Sequence, residues 1–286
     1  MSLNLQDIPR VKTITKADFL KHYFKPQKPV VIECFIDDWP AFTKWDLEYM
    51  KTIGGDLTIP LYDDRPVNFK DDFNEPHTEM KLGEYIDLLK SEPTKYRIFL
   101  WNALKEIPEL QNDFTFPDFG LRLMKGIPML FFGGRDSHTF MHYDIDLANI
   151  FHFHFEGTKQ VILFDQKQND YLYKIPHALI TREDIDFNNP DFEKWPMLKK
   201  AKGYKTELKH GEVLYMPEGY WHYMRYITPG FSMSLRAIAR NPKNFSKAVY
   251  NLLIMRNYDT LMRRLKGQKW IDWKNEQAII KTHKAL

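Results

Sequence analysis

Between residues 128 and 238 the chain alternates short apolar runs with turns that contain glycine or proline. Eight runs can be read there, at 129–132, 139–143, 149–155, 160–164, 204–208, 213–216, 221–227 and 231–238. Short strands separated in this way are typical of an antiparallel jelly-roll or barrel. Phe, Tyr and Trp supply 15% of the residues, and large flat side chains favour pleated surfaces. We therefore predict an all-β core with flanking helices, built as a double-stranded β-helix (jelly-roll).

The flanking segments have different patterns. Residues 1–127 predict N-terminal α/β elements, with helices after Thr15, at 45–53 and at 82–89, and strands at 29–35 and 96–101. Residues 128–240 carry the jelly-roll core, and residues 241–286 predict a C-terminal helical extension.

The C-terminal extension also carries an apolar seam made of Leu252, Leu253 and Met255. Such a face packs against another surface. Two alternatives are open: a homodimer formed through these helices, or packing against the chain's own barrel.

Charge and composition exclude several classes of protein. Lys and Arg number 41 against 38 Asp and Glu, a net charge of +3, which gives no support to nucleic-acid binding but does not exclude it. No apolar run is long enough to cross a membrane, and the start of the sequence does not resemble a signal peptide, so we expect a cytoplasmic location. The single cysteine, Cys34, rules out an internal disulfide and is expected to be a small buried residue in the strand at 29–35.

The segment Thr139–Asp144 contains a possible pair of metal ligands. Residues two apart on a strand point to the same face, so His142 and Asp144 would project together. One imidazole and one carboxylate are two of the three ligands of the facial site that suits Fe(II). His-x-Asp by itself is a weak signal.

A second segment, 211–222, is more specific. Gly211 supplies a hairpin turn, a short apolar strand follows, and Pro217 to Gly219 form a tight turn that redirects the chain. His222 then lies early on the next strand, at the mouth of the predicted barrel. The segment is more specific than His-x-Asp because the turn, the strand length and the position of the histidine must all match the same pattern.

Together the two segments resemble the JmjC branch of the cupin superfamily, in particular asparaginyl hydroxylases and small bacterial cupin-like 2-oxoglutarate oxygenases. The chain contains Gly-x5-Pro-x-Gly-x2-His in full, and Thr139, His142, Asp144 and Lys159 follow the order of the family. The resemblance covers residues 10 to 240 and is strongest from 128 onward. Tyr226 departs from the motif, which has asparagine four residues after the histidine.

The resemblance implies an Fe(II)- and 2-oxoglutarate-dependent oxygenase that hydroxylates a protein side chain or a small molecule with O2 and converts 2-oxoglutarate to succinate. His142, Asp144 and His222 would hold the iron, leaving positions for the keto acid and oxygen. The alternative is a non-catalytic cupin that binds metal and recognises a ligand or partner.

The resemblance also implies a site for the distal carboxylate of 2-oxoglutarate. Lys159 and Thr139 match the family's lysine and hydroxyl donor, although Lys159 lies 17 residues after His142, two more than expected. Arg236, fourteen residues beyond His222, is the rival cation, and we favour Lys159. Asn149 is a further candidate for the cofactor pocket by its family position.

A competing metal set uses His152 and His154 with His222, as in cupin isomerases or dioxygenases that use no keto acid. The alternation of side chains argues against it, because an inward Lys159 would place both histidines on the outer face, partly exposed. A bulge between residues 155 and 159 would reverse this conclusion.

Overall fold

The structure is a computed structural model that describes residues 2–65 and 75–284. Its strands are β1 (Asn4–Asp7), β2 (Arg10–Val11), β3 (Val30–Ile32), β4 (Thr58–Leu61), β5 (Thr78–Lys81), β6 (Arg97–Trp101), β7 (Met129–Gly133), β8 (His138–His142), β9 (Asn149–Phe164), β10 (Lys202–Leu208), β11 (Val213–Met216) and β12 (Trp221–Ala237). Its α-helices are α1 (Lys16–Phe19), α2 (Pro40–Lys44), α3 (Leu47–Gly54), α4 (Leu82–Ser91), α5 (Pro242–Tyr250), α6 (Arg256–Lys266) and α7 (Gln268–His283). Single π-helical turns lie at Leu20–Phe24 and Asn251–Met255, and short 3-10 helices at Ala103–Lys105, Pro108–Asp113, Gln166–Tyr171 and Pro196–Lys200.

The described strands form one ten-stranded sheet and a separate two-stranded sheet of β4 and β5. The main path runs β2-β3-β11-β9-β12-β7-β6, with β8 also paired to β12 and β10 to β9. The long strand β9 pairs with β11 through residues 150–153 and with β10 through residues 159–163, so it passes from one layer to the other. This is the predicted jelly-roll, in which pairs of the expected short strands are joined into β9 and β12.

The N-terminal segment contributes strands to the same sheet. β3 pairs with β11 and β6 pairs with β7. The helices α1, α3 and α4 then bury one apolar face each, through Phe19, Met50 and Ile86, against Phe residues of the barrel's outer face. Thr15 caps α1 as predicted, because its hydroxyl accepts a 3.1 Å hydrogen bond from the backbone N–H of Asp18.

A bulge interrupts β9 at Gly157, and it overturns the predicted side-chain alternation. Gly157 has a φ of +81°, and the register with β12 shifts on both sides of it. Ile150 therefore shares the barrel interior with Val161 and Leu163, two residues of opposite parity. Before the bulge, the even-numbered residues face the barrel interior. After the bulge, the odd-numbered residues face it.

Two further expectations need correction. β3 ends at Ile32, so Cys34 lies beyond the strand and is exposed. The expected seam of the C-terminal extension is divided: Met255 is buried in the chain's own core, whereas Leu252 and Leu253 are exposed. Within the part of the chain that is described, no helix has the length and apolar character needed to cross a bilayer.

Candidate metal centre and its cavities

Three side chains with metal-binding atoms converge at the end of β8. His142 closes β8 and lies opposite His222 of β12 in the strand register, and Asp144 follows two residues later. The ligand atoms of His142, Asp144 and His222 all lie within 4.8 Å of one another. Nε2 of His142 is 3.9 Å from a carboxylate oxygen of Asp144, and the two imidazole rings are 4.0 Å apart between centroids.

Backbone carbonyls orient both imidazoles. Nδ1 of His142 lies 2.7 Å from the carbonyl oxygen of Phe140, and Nδ1 of His222 lies 3.1 Å from that of Tyr220. Because a carbonyl only accepts hydrogen bonds, each Nδ1 carries the proton and each Nε2 keeps a free lone pair. The two Nε2 atoms are therefore available for a metal ion.

The charge states also suit a metal. Burial, with the charge of His222 adding to it, lowers the pKa of His142 to about 3, and burial also lowers the pKa of His222. Burial would raise the pKa of Asp144, but Arg236 and the two imidazoles outweigh this and lower it to about 2. Near pH 7 the set is two neutral imidazoles and one carboxylate, a donor set that suits octahedral Fe(II) with three positions left open.

Arg236 lies next to this set and pairs with acidic groups. Its guanidinium donates to a carboxylate oxygen of Asp144, and its Nε lies 3.6 Å from Asp146. The charge of Arg236 is thus already balanced by the chain, which disfavours it as the partner of a ligand carboxylate.

Lys159 has a different environment. Its Nζ lies 3.0 Å from Nε2 of His152, donates to the hydroxyl of Ser232 at 2.9 Å, and sits 4.1 Å from the centroid of the Tyr226 ring. These groups are neutral, and burial alone accounts for a pKa well below the usual range of lysine. Within residues 2–65 and 75–284, Lys159 forms no ion pair. A buried cation of this kind suits a ligand carboxylate.

His152 and His154 face the barrel interior with Lys159, so the expected outer position was wrong. Their exposed fractions are 2% and 0%. Nδ1 of His152 bonds to Ser234 at 2.8 Å, and His154 bonds to Ser232 and to the carbonyl oxygen of Gly157. The bulge at Gly157 brings this about, because it reverses the parity of the residues after it. No other trio of His, Cys, Asp or Glu in the described chain lies close enough to hold a metal.

The three-residue set lies where two cavities meet. The larger, outer cavity has a volume of about 400 Å³, and the smaller, inner one about 40 Å³. Thr139, His142 and Asp144 line both. The hydroxyl of Thr139 is buried and makes no hydrogen bond within the described chain, so it is free for a ligand.

Comparison with known proteins places the chain in a family. The cupin-like domain family matches residues 16–263. This chain belongs to the cupin-like family. Its relatives include lysine-specific demethylase 8 of Xenopus tropicalis, 27% identical over 244 residues that make up 79% of this chain and 52% of the relative.

Two further relatives show the range of the JmjC-type cupins. Lysine-specific demethylase JMJ30 of Arabidopsis thaliana is 28% identical over 82% of this chain and 55% of its own length. Human tRNA wybutosine-synthesizing protein 5 is 26% identical over 75% of this chain and 72% of its own length. The chain thus spans little more than half the length of its demethylase relatives. The family includes iron- and 2-oxoglutarate-dependent oxygenases.

Asn149 lies apart from the cupin cavities. Its amide donates to Glu218 at 3.1 Å and accepts from the hydroxyl of Tyr215 at 2.8 Å. Both ends of its amide are therefore engaged in a buried network, on the face of β9 opposite Ile150. We correct the expectation that Asn149 lines the cofactor pocket.

Sequence reasoning missed Arg97, which lines the outer cavity from β6. The strand predicted at 96–101 has one charged residue, Arg97, among aromatic and aliphatic side chains. A cation that alternates with buried apolar residues, here with Ile98, was the available signal.

Proposed function

We propose that this cupin-like protein is an Fe(II)- and 2-oxoglutarate-dependent oxygenase that hydroxylates a primary substrate. The observation that carries the proposal is the convergence of His142, Asp144 and His222 in the protonation states that a metal requires. The overall reaction would consume the substrate R–H, O2 and 2-oxoglutarate, and release R–OH, succinate and CO2.

The chain's own residues would have separate tasks in this reaction. His142, Asp144 and His222 would hold the iron, which when bound with the keto acid supplies the oxidation of a C–H bond by O2. The carbonyls of Phe140 and Tyr220 keep both imidazoles in the tautomer that can ligate.

The distal carboxylate of the keto acid would bind at the inner end of the site. Thr139 offers an unpaired hydroxyl there, and Lys159 offers a buried positive charge. His152 and Ser234 line the inner cavity, and Lys159 lies behind His152. A carboxylate in this cavity would therefore contact Lys159 through the His152 imidazole, or directly after that ring rotates away. We favour Lys159 over Arg236 because Arg236 already pairs with Asp144 and Asp146.

A matched pair of aspartates tests the proposal. Asp144→Asn removes the charged ligand, whereas Asp146→Asn changes an acid two residues away whose contacts in the described chain are with Arg236 and the backbone. We expect Asp144→Asn to abolish the absorbance change produced by Fe(II) and 2-oxoglutarate without oxygen, and the formation of succinate with oxygen. Asp146→Asn should keep both within about threefold, a free-energy change of about 0.7 kcal/mol. Equal loss in both variants, or no absorbance change in the unaltered protein, would contradict the proposal.

One observation favours a second function without catalysis. Because the guanidinium of Arg236 already holds the carboxylate of Asp144, a metal ion there would be held by the two imidazoles and would lack the charged ligand of the catalytic set. A non-catalytic cupin that binds metal and recognises a ligand would show bound metal without O2 uptake that depends on the keto acid, and Lys159→Met would not change its ligand affinity.

A further inference from the structure

Arg97 is a half-buried cation with unused hydrogen-bond donors. Its Nε and Nη1 are inaccessible to solvent and have no hydrogen-bond partner within the described chain. The acidic side chains whose charges act on Arg97 include Asp63 and Asp64. These already pair elsewhere, Asp63 with Arg65 and His77, and Asp64 with Lys95.

This arrangement is costly for the folded protein. Burial lowers the pKa of Arg97, yet guanidinium stays protonated in proteins, so the group remains charged, and residues 2–65 and 75–284 give it no ion pair. A partly buried charge without a partner destabilises a fold unless something compensates it. A bound anion would compensate it here.

The half-buried side chain of Arg97 forms part of the wall of the outer cavity. Arg97 and Thr139 both line it, together with His142 and Asp144 of the candidate metal centre. Arginine and lysine also outnumber aspartate and glutamate along its wall. Arg97 does not line the inner cavity, where His152 and Ser234 lie in front of Lys159.

We propose that Arg97 binds a terminal oxyanion of the primary substrate, a carboxylate or a phosphomonoester, in the outer cavity beside the metal centre. The proposal rests on the proposed oxygenase function for its substrate, but not for the binding of the anion. The Arg97 side chain is half-buried at the cavity wall, so the anion must enter the cavity as an end group. A phosphodiester flanked by two sugars does not meet this condition.

Three small aromatic probes test the proposal. Benzoate and phenyl phosphate present the two oxyanions on the same ring, and benzamide is the neutral counterpart of benzoate. Their dissociation constants are measured by calorimetry on the full chain, once without metal and once loaded with Fe(II) and 2-oxoglutarate in the absence of oxygen. Arg97→Gln removes the charge, and Arg135→Gln is the matched control, because Arg135 is exposed and lies outside both cavities.

We expect at least one oxyanion to bind tenfold or more tightly than benzamide, and Arg97→Gln to abolish that preference while Arg135→Gln keeps it. A preference for benzoate would identify a carboxylate, and one for phenyl phosphate a phosphomonoester. The proposal is overturned when neither oxyanion is preferred, or when Arg97→Gln leaves the preference intact. It is also overturned when Arg97→Gln instead weakens 2-oxoglutarate binding tenfold, which would assign Arg97 to the keto acid.

These results separate the two proposals. Failure to load Fe(II) and 2-oxoglutarate counts against the oxygenase, while the measurement on the metal-free chain still decides the role of Arg97.

A second variant, Arg97→Met, addresses folding: without ligands it should raise the melting temperature by about 2–4 °C, because it removes an uncompensated charge. A lower melting temperature would show that Arg97 stabilises the fold and would contradict an unpaired ligand-binding role.

Discussion

Lys159 shows how a single side chain can be placed for a ligand at the expense of stability. All its partners are neutral: an imidazole nitrogen of His152, the hydroxyl of Ser232 and the face of Tyr226. Tyr226 stands where the family motif has asparagine, and its ring supplies the cation–π contact. Neutral acceptors compensate the desolvation of an ammonium only partly.

Replacement of Lys159 by methionine should therefore have two opposite effects. Methionine has a similar length and no charge, so we expect the ligand-free protein to gain about 1–2 kcal/mol in the free energy of unfolding. The same variant should bind 2-oxoglutarate at least tenfold more weakly, because it lacks the cation for the distal carboxylate. Urea denaturation and the anaerobic absorbance titration measure the two effects.

Lys167→Met is the control, since Lys167 is exposed, and it should change neither quantity by more than about 0.5 kcal/mol. Unchanged keto-acid affinity in Lys159→Met would remove Lys159 from the proposed site.

At the scale of the element, the bulge in β9 determines which residues enter the barrel. Without it, a regular strand would place His152 and Lys159 on opposite faces. With Gly157 at φ +81°, both side chains meet inside, 3.0 Å apart. The bulge is thus the local feature on which the inner polar network depends.

Gly157→Ala should destabilise the protein by about 2–4 kcal/mol. An added Cβ would lie 2.3 Å from the carbonyl oxygen of Pro229, and φ is in the left-handed region. Gly126→Ala is the matched control, because an added Cβ there meets nothing within 4 Å. Urea unfolding of both variants measures the difference, and equal stabilities would show that the bulge tolerates a side chain.

At the scale of the whole molecule, buried neutral histidines link stability to pH. Burial lowers the pKa values of His142 and His154 to about 3 and also lowers those of His152 and His222. Below pH 6.5 the unfolded chain binds protons that the native chain does not bind. This contribution to stability is therefore complete above pH 6.5 and is lost as the pH falls from about 6.5 toward 3.

The metal-free protein should lose up to about 1.4 kcal/mol of unfolding free energy per pH unit for each such histidine in this range. His154→Gln should reduce the dependence of the unfolding free energy on pH, between pH 6.5 and 5, by the contribution of one histidine. His22→Gln, at an exposed position, should leave this dependence unchanged. Urea unfolding at several pH values provides the slopes, and an unaltered slope in His154→Gln would contradict the buried neutral state.

The C-terminal helices carry exposed apolar side chains that bear on oligomerisation. Leu253, Leu261 and Leu265 are exposed by 66%, 53% and 69%. Exposed apolar side chains that lie close together in sequence are typical of an interaction surface, and we keep the prediction of a homodimer. Leu253→Asp should shift the protein to a monomer in light scattering, whereas Lys269→Asp, at an exposed position on α7, should not. A monomeric unaltered protein would contradict the prediction.

The sequence by itself determined what depends on local spacing. Turn residues and a two-residue period predicted the jelly-roll, and placed His142 and Asp144 on one face with His222 beyond a tight turn. These relations hold over a few residues, where backbone geometry leaves few alternatives.

Tertiary structure alone decided the rest. One inserted residue at Gly157 reversed the faces of β9. The pairing of β6 with β7 brought Arg97 to a cavity whose other lining residues include His142 and Asp144, which are distant from it in sequence. Bulge positions and contacts between distant strands depend on packing, and no local pattern encodes them. The same reason explains why Asn149 was misplaced: its partner Glu218 lies 69 residues away, on a loop that the chain brings back only when the barrel closes.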